Sequence, residues 1–177
     1  NKNIKSSAVH QGAGLLNVQN ALAYESLITP TQLSAGLAKD YTTWNNTARL
    51  NFTITNLSSR SKTYKFSHTP AALMQNLWWQ EETYNNMYPF YGSAKFPASE
   101  VTIPGGQNKL VFVDIVAPVP DPVTWGDDAI NLLLPMYTGF VTVTNNNDIF
   151  TIPYVGELWD ESKLSLALGE CFLIIHR

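Results

Sequence analysis

Leu50-Asn51-Phe52-Thr53-Ile54-Thr55-Asn56 is the stretch on which the fold turns. Leu50, Phe52 and Ile54 alternate with Asn51, Thr53 and Thr55, a period of two that puts one set on each side of an extended backbone. This is the pattern of a half-buried strand with a hydroxyl-rich outer face. Asn56-Leu57-Ser58-Ser59 closes it with residues that favour turns. Beyond the turn, Tyr64 and Phe66 alternate with Thr63, Lys65 and Ser67. The two runs read as an antiparallel pair around a short polar turn.

Toward the C-terminus the same grammar continues. Glu100–Ile103 reads as a strand, and Pro104-Gly105-Gly106 as a strong turn. Leu110–Val116 is nearly continuous apolar, the pattern of a strand buried on both faces or central to a sheet. Pro118, Pro120 and Pro122 follow, in a polyproline-like or loop connection. Tyr137–Thr144 and Ile149–Tyr154 alternate again and are joined by Asn145-Asn146-Asn147-Asp148, a hairpin by composition. Pro153 cannot donate to a ladder, so it belongs at a strand's end or at a sheet edge. Residues 71–96 are rich in aromatics and Asn without a clean period; they read as a long connection with one short strand near Leu77–Trp79. Six or seven short strands separated by turns predict a mainly β chain, a sandwich of the fibronectin-III or immunoglobulin type.

The N-terminal side differs. Residues 1–10 are polar and without pattern. Leu15, Leu16, Val18, Ala21, Leu22 and Ala23 predict one short amphipathic helix ending near Tyr24 or Glu25, and Pro30 blocks its continuation. With 177 residues, the chain accommodates one large β domain or one domain plus a remnant. Hydrophobic residues make up 45% and charged residues 14%, which argues for a folded chain and against disorder. A net charge of −3 without any Lys/Arg run excludes a nucleic-acid-binding stripe. Cys171 is the lone cysteine, so neither an intrachain disulfide nor a thiolate metal site is available. Leu164–Ile175 is interrupted by Gly169 and Glu170 and is too short to span a bilayer.

No motif points to catalysis or to a cofactor. Gly12-Ala13-Gly14 lacks the third glycine of a dinucleotide loop, where Asn17 stands, and no strand precedes it. It reads as a tight turn at a helix start. Asp121, Asp127, Asp128 and Asp148 lack calcium-loop spacing, so no metal site is expected. Trp78 and Trp79 admit two readings: packing in a core or interface, or one ring exposed as a platform for sugar. Asn45-Asn46-Thr47, Asn51-Phe52-Thr53 and Asn56-Leu57-Ser58 are N-glycosylation sequons, making Asn45, Asn51 and Asn56 candidate acceptors on a eukaryotic secretory route.

Gln11-Gly12-Ala13-Gly14-Leu15-Leu16-Asn17-Val18-Gln19-Asn20-Ala21-Leu22 resembles the end of the catalytic domain of subtilisin-like serine proteases, where a Gly-x-Gly turn enters one of the last helices. Gly12, Gly14, Asn17 and Ala21 match that pattern. Large secreted and cell-surface members, such as the C5a-peptidase-like enzymes, often carry a fibronectin-III-like domain directly after this helix. Leu50–Asn56, Tyr64–His68, Val101–Gly106, Tyr137–Val141 and Ile152–Gly156 resemble successive segments of that domain, in the same order.

The resemblance implies a division into residues 1–27, the end of a protease domain; residues 28–156, a fibronectin-III-like sandwich; and residues 157–177, a tail that reads as a strand, a peripheral helix or a truncated end. It also implies an extracellular location and an upstream catalytic domain as partner in cis, acting on protein substrates. The family's Asp-Ser/Thr-Gly, His-Gly-Thr-His and Gly-Thr-Ser motifs do not occur in this sequence. His10, His68 and His176 therefore inherit no catalytic role, and the chain is expected to be inactive alone. The alternative is a non-enzymatic adhesion or carbohydrate-binding sandwich, with residues 71–96 as the binding loop.

Overall fold

The computed structural model describes residues 6–12, 18–38, 46–75, 86–118, 135–146 and 148–158. Two short helices, Ala8–Gln11 (α1) and Val18–Ala23 (α2), precede ten strands among these residues. The strands are Ser26–Thr29 (β1), Leu33–Ala38 (β2), Thr47–Asn56 (β3), Lys62–Gln75 (β4), Asn86–Tyr88 (β5), Ser93–Lys95 (β6), Glu100–Ile103 (β7), Asn108–Val116 (β8), Met136–Thr144 (β9) and Ile149–Leu158 (β10). They form a four-stranded sheet in the order β1-β3-β8-β6 and a second sheet in the order β2-β10-β9-β4-β5. β7 pairs with β4 at Lys62–Lys65 and β5 pairs with it at Leu73–Gln75, so the two short strands share its edge away from β9. The mainly β sandwich predicted from alternation is the observed fold.

The core lies between the sheets. Phe52, Ile54, Val113 and Ile115 face Tyr64, Tyr137, Val141, Val143, Ile152 and Tyr154 across it. Each such fully buried large apolar side chain contributes about 1.5–3 kcal/mol by removal from water. Phe66 joins the core's edge by meeting Phe52 edge-on at 6.1 Å and stacking on Phe96 at 5.5 Å.

The expected antiparallel pairing of the first two runs does not occur. β3 pairs with β1 and β8, whereas β4 belongs to the other sheet. The reason is Asn56, which is fully buried at the corner between them. Its Nδ2 donates to the carbonyls of Arg60 (2.7 Å) and Ile103 (2.9 Å), while its Oδ1 accepts from the Ser58 amide (3.1 Å) and hydroxyl (2.7 Å). The Gly106 amide donates to the Asn56 carbonyl at 2.9 Å. One side chain thus clamps two crossings between sheets, β3 to β4 and β7 to β8. Gly105 allows their close approach, since a Cβ there would lie 2.4 Å from the carbonyl carbon of Ser59. The polar cluster after Ile54 makes an arch between layers where a hairpin was expected.

Of three other expectations, two hold in one of their alternatives and one is overturned. β8 is central in its sheet, as expected, but buries only one face: Leu110 and Phe112 point outward. Pro153 lies mid-strand, but the parallel pairing of β10 with β2 begins only at Tyr154, so the proline occupies a stretch with a single neighbour. Residues 71–75 continue β4, with a register shift between Ala71 and Met74, and do not belong to a connection. The expected strand at Leu77–Trp79 lies outside the described residues. β1 and β2 were not anticipated. Nor was α1, which falls in the stretch read as unstructured.

Candidate functional site

β9 carries two sets of buried residues. Tyr137, Val141 and Val143 point into the sandwich. Thr138 and Phe140 point the other way, out of the sandwich, yet are equally buried. What covers them is the N-terminal segment around α1. Ser7 is itself fully buried, and its Oγ lies 3.2 Å from Thr138 Oγ1. The Ala8 amide donates to Thr138 Oγ1 at 3.1 Å. Ala8, Ala71 and Phe140 form an apolar cluster of their own. Small residues at Ala8 and Ala71 let the short helix lie close to the sheet.

The segment folds locally for legible reasons. Ser7 is the N-cap of α1, accepting from the Val9 amide at 3.3 Å. Gly12 ends the helix with φ 58° and donates from its amide to the Ala8 carbonyl at 2.8 Å. Farther along, the chain is tied down a second time. Tyr24 meets Phe150 of β10 at 4.8 Å between centroids, and its hydroxyl donates to the Ile149 carbonyl at 3.4 Å. The N-terminal region is thus moored twice: α1 covers the outer face of the larger sheet in a seam at Thr138 and Phe140, whereas Tyr24 packs on Phe150, which lies on the core side of β10 opposite Val143.

The inner side of the same sheet holds, on β4, the histidine to which the sequence assigns no catalytic role. His68 Nε2 lies 2.9 Å from the Tyr154 hydroxyl, and the two rings stack at 5.7 Å. Burial lowers the pKa of His68, so the ring is neutral at neutral pH. Burial pushes Tyr137 up to about 12 and raises Tyr154 further, with the neighbouring Tyr137 adding to the effect. Tyr154 sits opposite Gly139, and Tyr137 opposite Gly156; a Cβ on either glycine would fall within 2.5 Å of the facing tyrosine. The rings lie over the glycines and fill the space a side chain would take. Among the described residues, neither serine, cysteine nor carboxylate is hydrogen-bonded to His68. The group is a packed aromatic cluster lacking the paired nucleophile and base that acyl transfer requires.

At one end of the sandwich, the β3–β4 and β9–β10 connections flank an open polar groove. Lys62 there meets Glu25 at 3.1 Å and Asp148 at 3.9 Å. Asn145 Oδ1 accepts from the Asp148 amide at 3.0 Å, which closes the predicted hairpin. Among the described residues, no group of His, Cys, Asp or Glu could hold a metal ion. No described helix is long and apolar enough to cross a membrane.

The sequence-derived site residues have separate fates. Asn56 is consumed by the corner, Asn51 stands on the outer face of β3, and Asn45 lies outside the described residues. Trp78, Trp79, Asp121, Asp127, Asp128, Cys171 and His176 also lie outside them, as do Gly14 and Asn17. Gly12 is the C-cap of α1, and Ala21 lies in α2. The seam residues Ser7, Ala8, Thr138 and Phe140 were missed. Their signal was faint: a serine capping position ahead of an unremarkable four-residue helix.

Residues 41–155 match the model of the Fn3-like domain, and the chain belongs to that family. No curated protein matches the sequence. Among solved structures, the PapD-like domain 7 of human CEP192 is similar at 7% identity and a TM-score of 0.47, covering 77% of this chain and 86% of that one. A family 123 glycoside hydrolase from Clostridium perfringens is similar at 10% identity and a TM-score of 0.42, over 76% of this chain and 27% of that one. The MSP family member WR4 of C. elegans shows 6% identity and a TM-score of 0.37, over 75% and 97%.

Proposed function

We propose that this chain is the C-terminal accessory region of a subtilisin-like serine endopeptidase, an extracellular Fn3-like module that supports a catalytic domain lying upstream. The observation that carries the reading is the burial of Ser7 and Ala8 against Thr138 and Phe140. The resemblance to the protease domain's end begins at Gln11, within a turn of that seam. A domain ending in this segment would be held against the outer face of β9 and β10. The module's work is then mechanical: it fixes the orientation of the preceding domain and shapes the approach of protein substrates. Bond cleavage belongs to the upstream triad, and His68, committed to Tyr154, takes no part.

The transcript upstream of Asn1 tests this directly. A Gly-Thr-Ser motif shortly before it, in frame, is the expected result; unrelated sequence or a stop codon ends the reading. A fluorophosphonate probe supplies a second check. It should label a serine upstream in the longer native protein and leave residues 1–177 unlabelled.

A further inference from the structure

We infer that Asn51, and not Asn56, is an N-glycan acceptor of this sandwich, and that the glycan's first sugars lie on Phe112 and Leu110. The sequons are equivalent in sequence, but the fold separates Asn51 from Asn56, Asn45 lying outside the described residues. Asn56 is fully buried, and both hydrogens of its Nδ2 are committed to the carbonyls of Arg60 and Ile103. A glycan replaces one of those hydrogens and cannot be fitted into the corner, so an Asn56-modified chain does not reach this fold. Asn51 points outward from β3 and is exposed, and Thr53, the hydroxyl residue of its sequon, lies on the same face.

Phe112 is the direct cross-strand neighbour of Asn51, and Leu110 is that of Thr53. Directly opposed residues place their Cβ atoms about 4.5–5.5 Å apart. Phe112 keeps 37% of its surface exposed and Leu110 49%, although both sit mid-sheet. Arg49 covers part of the ring, with its guanidinium 5.0 Å from the centroid and tethered to Asp114 at 3.7 Å. The remainder of the ring adjoins Asn51. Thr29, Thr55 and Asn108 border the patch with groups that can hydrogen-bond sugar hydroxyls. The apolar face of a pyranose ring is suited to the uncovered aromatic surface, and a sugar linked through Asn51 starts beside it. Among the described residues, nothing else covers this face.

In the transfer, Asn51 Nδ2 attacks the anomeric carbon of a lipid-diphosphate-linked oligosaccharide. The new C–N bond forms as the C–O bond to the diphosphate breaks. The lipid diphosphate leaves with the bonding pair, and Nδ2 gives up one proton to base. Attachment precedes folding, so the fold selects which modified chains survive.

This inference needs the secretory passage contained in the proposed function only for its occurrence in the native host. The site can be tested independently by secreting residues 1–177 from a eukaryotic cell behind a cleavable leader. Mass spectrometry of the folded, secreted monomer should find glycopeptides at Asn51, abolished in N51Q, and no glycan at Asn56. An unmodified Asn51, or a glycan at Asn56 in folded monomer, overturns the assignment. Contact with Phe112 is tested by a double-mutant cycle. N51Q should lower Tm by about 2–4 °C in the native background and leave it unchanged in F112A. Equal shifts in the two backgrounds overturn the stacking.

Discussion

β8 and β9 are each central in their sheet and each carry apolar residues on both sides, yet their outer faces end differently. On β9, Thr138 and Phe140 are sealed beneath Ser7 and Ala8. On β8, Leu110 and Phe112 remain open to solvent. Local pattern does not foresee this difference. Leu110–Val116 is the more continuous apolar run and reads as a strand buried on both faces or central to a sheet, whereas Tyr137–Thr144 alternates; only the central position of β8 holds. The cover for β9 comes from residues 131 positions away. Burial of an outer face is thus a property of whatever docks on it, and the strand's own composition is a poor guide.

Matched substitutions can break this comparison. Phe140→Ala should be the most damaging, since it empties a buried outer site under α1; a loss of about 3–5 kcal/mol in urea unfolding is expected. Next comes Thr138→Val, which keeps the shape but removes the hydroxyl that serves Ser7 and the Ala8 amide. A loss of about 1–3 kcal/mol is expected, against about 0.5 kcal/mol or less for Thr53→Val on the open face. If the two threonine variants matched, the seam would not be a stabilising contact.

The inner side of β9 and its neighbours supplies a third test, by pH. The folded pKa of His68 lies below its ordinary 6.5, so the unfolded chain takes up that proton first as pH falls. The contribution is complete above pH 6.5 and is lost progressively as pH drops toward the folded value. Unfolding measured from pH 7.5 to pH 5 should therefore show a decline that is shallower in His68→Gln. Equal slopes would mean that other groups govern the acid side. A small effect is expected for Phe112→Ala in unglycosylated protein, about 1 kcal/mol or less by urea unfolding, because the ring is already partly wet.

Much of the architecture was legible. The period of two located β3, the first part of β4, and the β9–β10 hairpin, because half-buried strands must alternate, and β7 was read as a strand ahead of the Pro104-Gly105-Gly106 turn. β1 and β2 escaped notice because they are short and their stability comes from distant partners: Ser26 pairs with Asn56, and Leu33 with Tyr154. His68 was read from sequence as a strand residue whose ring packs or meets solvent, and in the fold it lies on β4 with its ring against Tyr154. The seam was not readable, since Ser7 and Ala8 carry no apolar period. The sequons at Asn51 and Asn56 looked alike because a sequon records only which residues the transferase reads, while burial separates the two asparagines.

By itself the sequence determined a mainly β sandwich and its principal strands, because alternation and turn chemistry are local and act within a few residues. The tertiary structure alone decided that β3 and β4 part company at Asn56, that the N-terminal segment seals β9, and that the face around Asn51 stays open. The first two depend on contacts between segments far apart in the chain, Asn56 with Ile103 and Ser7 with Thr138, where the gain from burial and hydrogen bonding appears only once both partners are in place; the third follows from no described segment docking there.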